Sequence, residues 1–522
     1  MRAVKLLAIL CLAPAVSTLP GCTDLTETPL SSITPENFYR NQDEVMGGLA
    51  SVYAQLRNIF PGTDGDPGYW AVSEVSSDEA LIPVRGSNWG DNGRWIELHA
   101  QTWTANSPAG LTFLSNTMRE AWKGVTRANV LLNALPNVAV ANKAGITAEL
   151  RTLRALYYYQ LMDLWGGVPI VTTTDITPRA KNTRKEVFDF IEKELTEARV
   201  DLPPNWPAAS NGRMTKGAAD AILANMYLNA GVFAAATPSA TAYNSCMSVQ
   251  IGGVTACQAA INVADRILNS GEYTPAANWK AQFNYDNGTS KENILVAKFI
   301  PDPDLGLHLI QTSLHYNQFS TSPWNGFSLA AAAYNSFDPN DQRRTVFLIG
   351  PQFNVETGAP VTESSPSTAR LNFTLDINNI NDALENEGVR FYKWPYDPAH
   401  AQQGNGNDFA YFRLNEIYMI KAEALNEITP GSPAALAIIN TMRARNFATP
   451  TPLPAITRDV ILRERLFEFA FEGKRRQDLI RHGQFTAPWK FKPAATAATR
   501  LLFPFPQTQL DANPLLVQNP GY

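Results

Sequence analysis

Three sets of side chains in this 522-residue chain have the types and spacing for chemistry: clustered carboxylates, five histidines, and tryptophans set among polar residues. Glu464, Glu468 and Glu472 recur every four residues, with Arg465, Lys474, Arg475 and Arg476 close by. That spacing lines one helix face and predicts an i, i+4 pair between Glu472 and Arg476, a structural row rather than an acid–base site. Asp78-Glu79 is the other acidic candidate. A glycosidase needs two carboxyls across the scissile bond, about 5.5 Å or about 6.5–9.5 Å apart, and no second acidic signature accompanies this pair. The histidines, at 99, 308, 315, 400 and 482, form no His-x-x-x-His and have no carboxylate at ligand spacing. His308 and His315, seven apart, read as polar loop residues. Asp64-Gly65-Asp66 and Asp302-Pro303-Asp304 are too short for metal loops, so no metal site or cofactor is expected; structural calcium stays open but is not indicated. Gly-x-Ser-x-Gly, P-loop and dinucleotide fingerprints do not occur.

The tryptophans carry the stronger signal. Trp122 and Trp165 fall on apolar helical faces and read as core. Trp70, Trp103, Trp279 and Trp394 are expected to pack beneath a surface layer. Trp89 and Trp95 instead lie among Arg85, Asn88, Asp91, Asn92 and Arg94, a setting unlike a core. Trp324 follows Ser322-Pro323 and precedes Asn325-Gly326, with Tyr316 upstream. Aromatic rings pack against the C–H faces of sugars, while Asn, Asp and Arg satisfy hydroxyls around the rim of a concave site. The expected ligand-binding residues are therefore Trp89, Trp324, Arg85, Trp95, Asn88, Asp91 and Tyr316, with Asp78. No catalytic residue is expected.

These residues must be carried on an exported frame. Arg2 and Lys5 precede an apolar run from Leu6 to Val16, which leads into Leu19-Pro20-Gly21-Cys22. This is the layout of a secretory signal ending in a cysteine suited to lipidation, where several acyl chains at about 0.8 kcal/mol per buried CH₂ give stable anchoring. Residues 1–21 are thus expected to be a lipoprotein signal peptide and 22–33 a lipidated tether on a membrane. A net charge of −5 offers no basic stripe for nucleic acid. Of the remaining cysteines, Cys246 and Cys257 flank a Gly252-Gly253 turn. They close a short disulfide loop if their Cα atoms come within about 7 Å, and otherwise remain free thiols.

Apolar residues at alternating three and four spacing mark helices: Val45 to Leu56, Trp122 to Leu132, Leu150 to Leu164, and Phe188 to Leu195. The pattern continues through Ala219 to Ala230 behind a Thr215 cap, and through Ala260 to Ile267. It resumes at Leu414 to Ala424, at Leu436 to Met442 behind Ser432-Pro433, and from Val460 to Phe471 behind Thr457. Thr34-Pro35-Glu36 is a further helix start. Helix starts from about Glu149 to Thr215 lie near the 34-residue tetratricopeptide period. Two stretches, residues 61–110 and 271–408, are instead punctuated by Gly, Pro and Asn and should form irregular layers with short strands such as Asn293 to Phe299.

Several segments together resemble the SusD/RagB family of outer-membrane nutrient-binding lipoproteins. They are Pro29 to Tyr39, Glu149 through Leu164-Trp165-Gly166-Gly167-Val168-Pro169, Gly212 to Ala219, Arg413 to Tyr418, Phe471 to Leu479, and Phe503-Pro504-Phe505-Pro506 with the closing Asn519-Pro520-Gly521-Tyr522. Arg443-Ala444-Arg445-Asn446-Phe447 departs from the usual Ala-Gly after the second arginine, and Phe233 to Cys257 looks like an insertion. The resemblance implies a mainly α, tetratricopeptide-like superhelix within a single domain, residues 34–522. Its scaffold would be mainly 34–60, 115–270 and 409–485, and its ligand layer mainly 61–110 and 271–408. It also implies glycan (oligosaccharide) capture at the exterior of a bacterial outer membrane and delivery to a SusC-like TonB-dependent transporter. The rival expectations are a peptide-binding scaffold and, third, a surface glycosidase cutting through Asp78.

Overall fold

The computed structural model describes residues 39–59 and 68–522. Cys22, the Thr34 helix start and Asp64-Gly65-Asp66 lie outside them. The scaffold is a succession of helices, each packed on a sequence neighbour. Helix α1 (Gln42–Ile59) buries Val45, Leu49, Val52 and Leu56 against α4 (Ser115–Ala134). Between them in the chain lie two short helices, α2 (Tyr69–Val75) and α3 (Arg94–Ala100). Helix α5 (Lys143–Trp165) lies between α4 and α6 (Arg184–Ala198), while α7 (Lys216–Leu228) leads to α8 (Ala256–Leu268). Helix α8 also packs on α9 (Leu414–Ile428), followed by α10 (Pro433–Ala444), α11 (Arg458–Phe469) and α12 (Arg475–Arg481). Pairwise stacking of this kind buries one continuous core from elements that cannot bury their apolar faces alone.

Caps fix most of the boundaries. The hydroxyl of Thr215 accepts from Ala218 N at 3.1 Å, and Ser432 caps the Pro433 start of α10. Helix α5 begins at Lys143, ahead of the expected Glu149, because the Asn142 side chain accepts from Gly145 N at 3.2 Å. Helix α11 stops at Phe469 instead of running to Phe471, whose φ of 62° lies outside the helical region.

That stop removes the predicted Glu472–Arg476 pair. Glu472 instead receives Arg413 Nε at 2.7 Å and Lys393 Nζ at 2.6 Å, and Arg476 reaches Asp163 at 3.1 Å. Glu464 and Glu468 do line α11, but they face inward to Arg343, Arg413, Arg443 and Arg445. Burial alone would raise the Glu468 carboxyl, yet Arg413, Arg445 and Arg343 hold it far below the carboxylate range.

The loop-rich stretches contain short antiparallel ladders. Strand β1 (Ala80–Leu81) pairs with β3 (Ser328–Leu329), and β2 (Asn293–Ala297) with β4 (Phe409–Arg413). A two-residue ladder, Gln250–Ile251 on Val254–Thr255, occupies the expected insertion, where Cys246 and Cys257 form a disulfide with Cα atoms 4.9 Å apart. Trp70, Trp103, Trp279 and Trp394 are buried, as is Trp165, but Trp122 is only half-buried because α4 turns its ring toward the Val171–Pro178 loop. Three of the buried rings satisfy their N–H groups: Trp70 on Phe471 O, Trp103 on the Tyr522 hydroxyl, and Trp165 on Pro504 O.

Candidate functional site

Two loops bring Trp89 and Trp324 together over one support. In the first, Arg85 and Asn88 exchange backbone hydrogen bonds of 3.0 and 2.9 Å around Gly86-Ser87. The Arg85 side chain points inward from the base of this hairpin and is 3 % exposed. Its guanidinium donates to Glu387 O at 2.8 Å, to Ser328 Oγ at 3.2 Å, and to Leu384 O. In the second loop, Trp324 N donates to Gln311 O at 2.7 Å and Asn325 N to Leu314 O at 2.9 Å. The Asn325 side chain donates to Glu385 O at 2.9 Å and accepts from Arg390 Nε at 2.9 Å. The segment 384–390 therefore holds both tryptophan loops in register. Burial pulls Arg85 down to about 10, and burial together with the neighbouring Arg85 charge pulls Arg390 well below its ordinary value.

The rings form an angled platform. The Trp89 indole N–H donates to Trp324 O at 2.5 Å, and the two ring centroids are 6.4 Å apart. Trp89 meets Trp95 edge-on at 5.8 Å and Phe327 at 6.2 Å, and Trp95 packs on Phe113 at 4.4 Å. Trp89 has φ 62°, with Asp91 at 38°, Asn92 at 55°, Ser322 at 52° and Asn325 at 54°. An aromatic residue in the left-handed region is strained, and such strain persists where the surroundings over-determine it, commonly at ligand sites. Gly326 makes the approach possible, since a Cβ there would lie 2.3 Å from the Trp89 ring.

A cavity of about 540 Å³ opens over this platform. Its walls include half-buried Trp89, Trp324, Arg94 and Tyr316, and its rim carries exposed Asn88 and Asp91. Asn88 Nδ2 donates to the Tyr316 hydroxyl at 2.8 Å, and Asp91 accepts the Trp95 indole N–H at 2.8 Å and faces Arg94 at 3.4 Å. Polar groups already oriented by their neighbours can exchange hydrogen bonds with ligand hydroxyls at little entropic cost.

The structure thus gathers Trp89, Trp324, Asn88, Asp91 and Tyr316 in one place, with Trp95 behind them at the same cavity, and sets Arg85 and Asp78 apart. Arg85 is turned under the loops, because its guanidinium finds fixed carbonyls there. Trp95 sits on α3 at 3 % exposure, so it backs the platform, contrary to its polar sequence setting. Asp78 lines a different cavity and forms a two-point pair with Arg475 at 2.7 and 2.8 Å. His308 and His315 are buried, not loop-exposed; His315 has Glu385 3.4 Å away, while burial pulls it down to about 4. His482 and His400 also have carboxylate neighbours, Glu423 at 3.0 Å and Asp397 at 2.6 Å. Among the described residues, no group of three His, Cys, Asp or Glu is arranged to hold a metal. Phe113 and Pro323 join the cavity without having been singled out, since neither carries a polar signature in the sequence.

Known proteins supply the comparison. A SusD-like protein of Formosa agariphila is 25% identical over 539 residues, covering 95% of this chain and 96% of its own. The starch-binding protein SusD of Bacteroides thetaiotaomicron is 24% identical over 521 residues, covering 88% and 87%. The solved structure of a laminarin-binding SusD-like protein superposes with a TM-score of 0.72 at 21% identity, over 93% of this chain and 100% of that one. Residues 75–228 match a family described as starch-binding and associating with the outer membrane. The SusD family model matches residues 254–522, more than half of the sequence, and on these grounds the chain belongs to the SusD family.

Proposed function

We propose that this protein captures oligosaccharides on the Trp89–Trp324 platform, at the outer face of a bacterial outer membrane, for a SusC-like TonB-dependent transporter. The observation that carries the reading is the pair of half-buried indoles held at a fixed angle, with Asn88, Asp91, Arg94 and Tyr316 around them. Sugar C–H faces would lie on the rings and their hydroxyls would meet the rim. Relatives named for starch and laminarin binding support the ligand class, and the family description supports the membrane. Anchoring would be through lipid on Cys22, after loss of residues 1–21, with 22–33 as tether and 34–522 as one binding domain. The protein would bind and release without bond cleavage. Asp78, the acid a hydrolytic reading needs, is paired two-point with the buried Arg475.

Affinity electrophoresis of residues 23–522 in gels containing laminarin or starch, with an assay for released reducing ends, tests this. Retardation without release is expected. Trp324→Ala should weaken it at least about thirtyfold, as loss of a roughly 2 kcal/mol anchor does. Trp324 makes its hydrogen bonds through its backbone, so the folded state should survive. Unchanged retardation refutes the site, and release of sugar refutes the binding-only reading. Membrane retention of Cys22→Ser would refute the anchor.

A further inference from the structure

We propose that a second cavity, built around Trp489, Phe491 and Asp78, is an independent saccharide-binding site. The inference rests on the reading of this protein as a glycan binder and assigns it another point of attachment. The cavity encloses about 620 Å³, within the roughly 300–1,000 Å³ range of small-ligand sites. It is separated from the platform by α3, which sends Arg94 and Trp95 to one cavity and His99, one turn later, to the other.

Its construction repeats the chemistry of the platform with different residues. Trp489 and Lys492 exchange backbone hydrogen bonds of 2.9 Å around a turn in which Phe491 takes φ 68°. The Trp489 indole N–H donates to His99 O at 3.1 Å, and Lys492 Nζ lies 3.6 Å from the ring centroid. The ring is thereby fixed on one side, and both it and Phe491 remain half-buried at the cavity wall. Ala330–Ala333, four consecutive methyl side chains, line the same cavity.

The polar complement points to a neutral, hydroxyl-rich ligand. Asp78 and Arg475 form one pair, Asp376 and Lys490 another at 2.8 Å. The four formal charges of the lining cancel, and Lys492 beside them is buried, with its ammonium turned to Ala487 O and the Trp489 face, so the lining itself favours neither a net anion nor a net cation. The Asp78 side chain is 32% exposed while Arg475 is 8% exposed. The carboxylate can therefore accept from vicinal hydroxyls while the buried guanidinium holds it in place. Asp376 and Lys490 are about half exposed at the mouth. A pair in water is worth little, so a ligand hydroxyl can replace either partner cheaply. Asn335 and Gln484 complete an exposed amide rim.

The test is isothermal titration of residues 23–522 with laminarihexaose, repeated with maltoheptaose, and followed by ¹⁵N-indole NMR of the tryptophans. Two equivalents of sugar are expected, with separate shifts of the Trp489 and Trp89 indole N–H signals. Ala332→Phe would block the second cavity from its exposed wall without removing packing. It should reduce the stoichiometry from two to one and leave the platform shifts unchanged, and Trp489→Ala should do the same. Trp89→Ala combined with Trp324→Ala should leave the Trp489 shifts in place. A stoichiometry of one in the unaltered protein, or Trp489 shifts that vanish with the platform variants, overturns the second site and leaves the glycan reading standing. Absence of binding to either sugar in every form overturns both.

Discussion

Gly326→Ala should disable the platform without removing a single group that touches ligand. An added Cβ would stand 2.3 Å from Trp89 Cζ2, 2.5 Å from Cε2 and 2.9 Å from Thr312 O. Ordinary contact begins near 3.4 Å, so the indole must retreat by about 1 Å. The Thr312 carbonyl cannot give way instead, because it accepts from both Gly326 N at 2.9 Å and Phe327 N at 3.1 Å. The displaced ring loses its 2.5 Å bond to Trp324 O and its angle to Trp324. Overpacking of this kind costs about 1–3 kcal/mol of stability, tolerable for a domain of this size. Loss of a centrally placed aromatic anchor is worth about 2 kcal/mol or more of binding, hence about thirtyfold in affinity. Chemical denaturation and titration with laminarihexaose would measure the two effects on one preparation. An affinity within twofold of the parent, in a variant destabilised as expected, would refute the claim that ring position makes the site.

Other consequences follow from groups far from the platform. Arg413→Met should cost about 3–5 kcal/mol in denaturant titrations, the usual result of stranding buried partners, because Glu292, Glu468 and Glu472 all lose a shared guanidinium. Glu74 and Glu79 are buried side by side, accepting from Gly473 N and Phe471 N respectively; burial, and for Glu74 the neighbouring carboxylate, push both above the carboxylate range. The folded state then holds a proton that the unfolded chain has released, so this pair's contribution to stability falls as pH rises above about 4.5. The slope is at most about 1.4 kcal/mol per pH unit for each proton. Glu79→Gln should flatten that slope relative to the parent, and identical pH profiles would refute the shared-proton reading. Reduction of Cys246–Cys257, which closes a loop of sequence separation 11, should lower stability by about 3 kcal/mol and leave sugar affinity unchanged.

Helices were legible because periodicity and caps are local. Val45, Leu49, Val52 and Leu56 announce α1, and Thr215 and Ser432 announce their helices, with no knowledge of what packs against them. The limits of that reasoning appear where a distant partner decides. Glu472 is four residues from Arg476, yet its true partners, Arg413 and Lys393, come from 59 and 79 residues away. Arg85 looked like a rim cation because its neighbours are polar, but the carbonyls that receive it lie about 300 residues downstream. Trp95 misled for the converse reason: a polar stretch can still lead into a short helix with a buried face. Trp89 and Trp324 were legible because each is an aromatic among polar turn formers, and those turns survive in the fold as left-handed backbone at Trp89 itself and at Ser322 and Asn325 around Trp324.

The binding layer has few ladders, so something other than a sheet must keep it rigid. Charge does this work at its base. Glu292 and Lys393 come from the loop-rich stretch, Arg413 from β4, and Glu468 and Glu472 from α11 and the turn that follows. All are buried, so each pair acts at low dielectric and needs every partner in place. The same arrangement recurs one step outward, where Arg85 and Arg390 gather the carbonyls of Glu385, Glu387 and Gly388 under the tryptophan loops. Fixed carbonyls define a guanidinium position as sharply as carboxylates do. A platform supported this way gains rigidity from long-range polar contacts instead of local backbone pairing. The buried arginines hold the two loops, and with them the two indoles, at one angle.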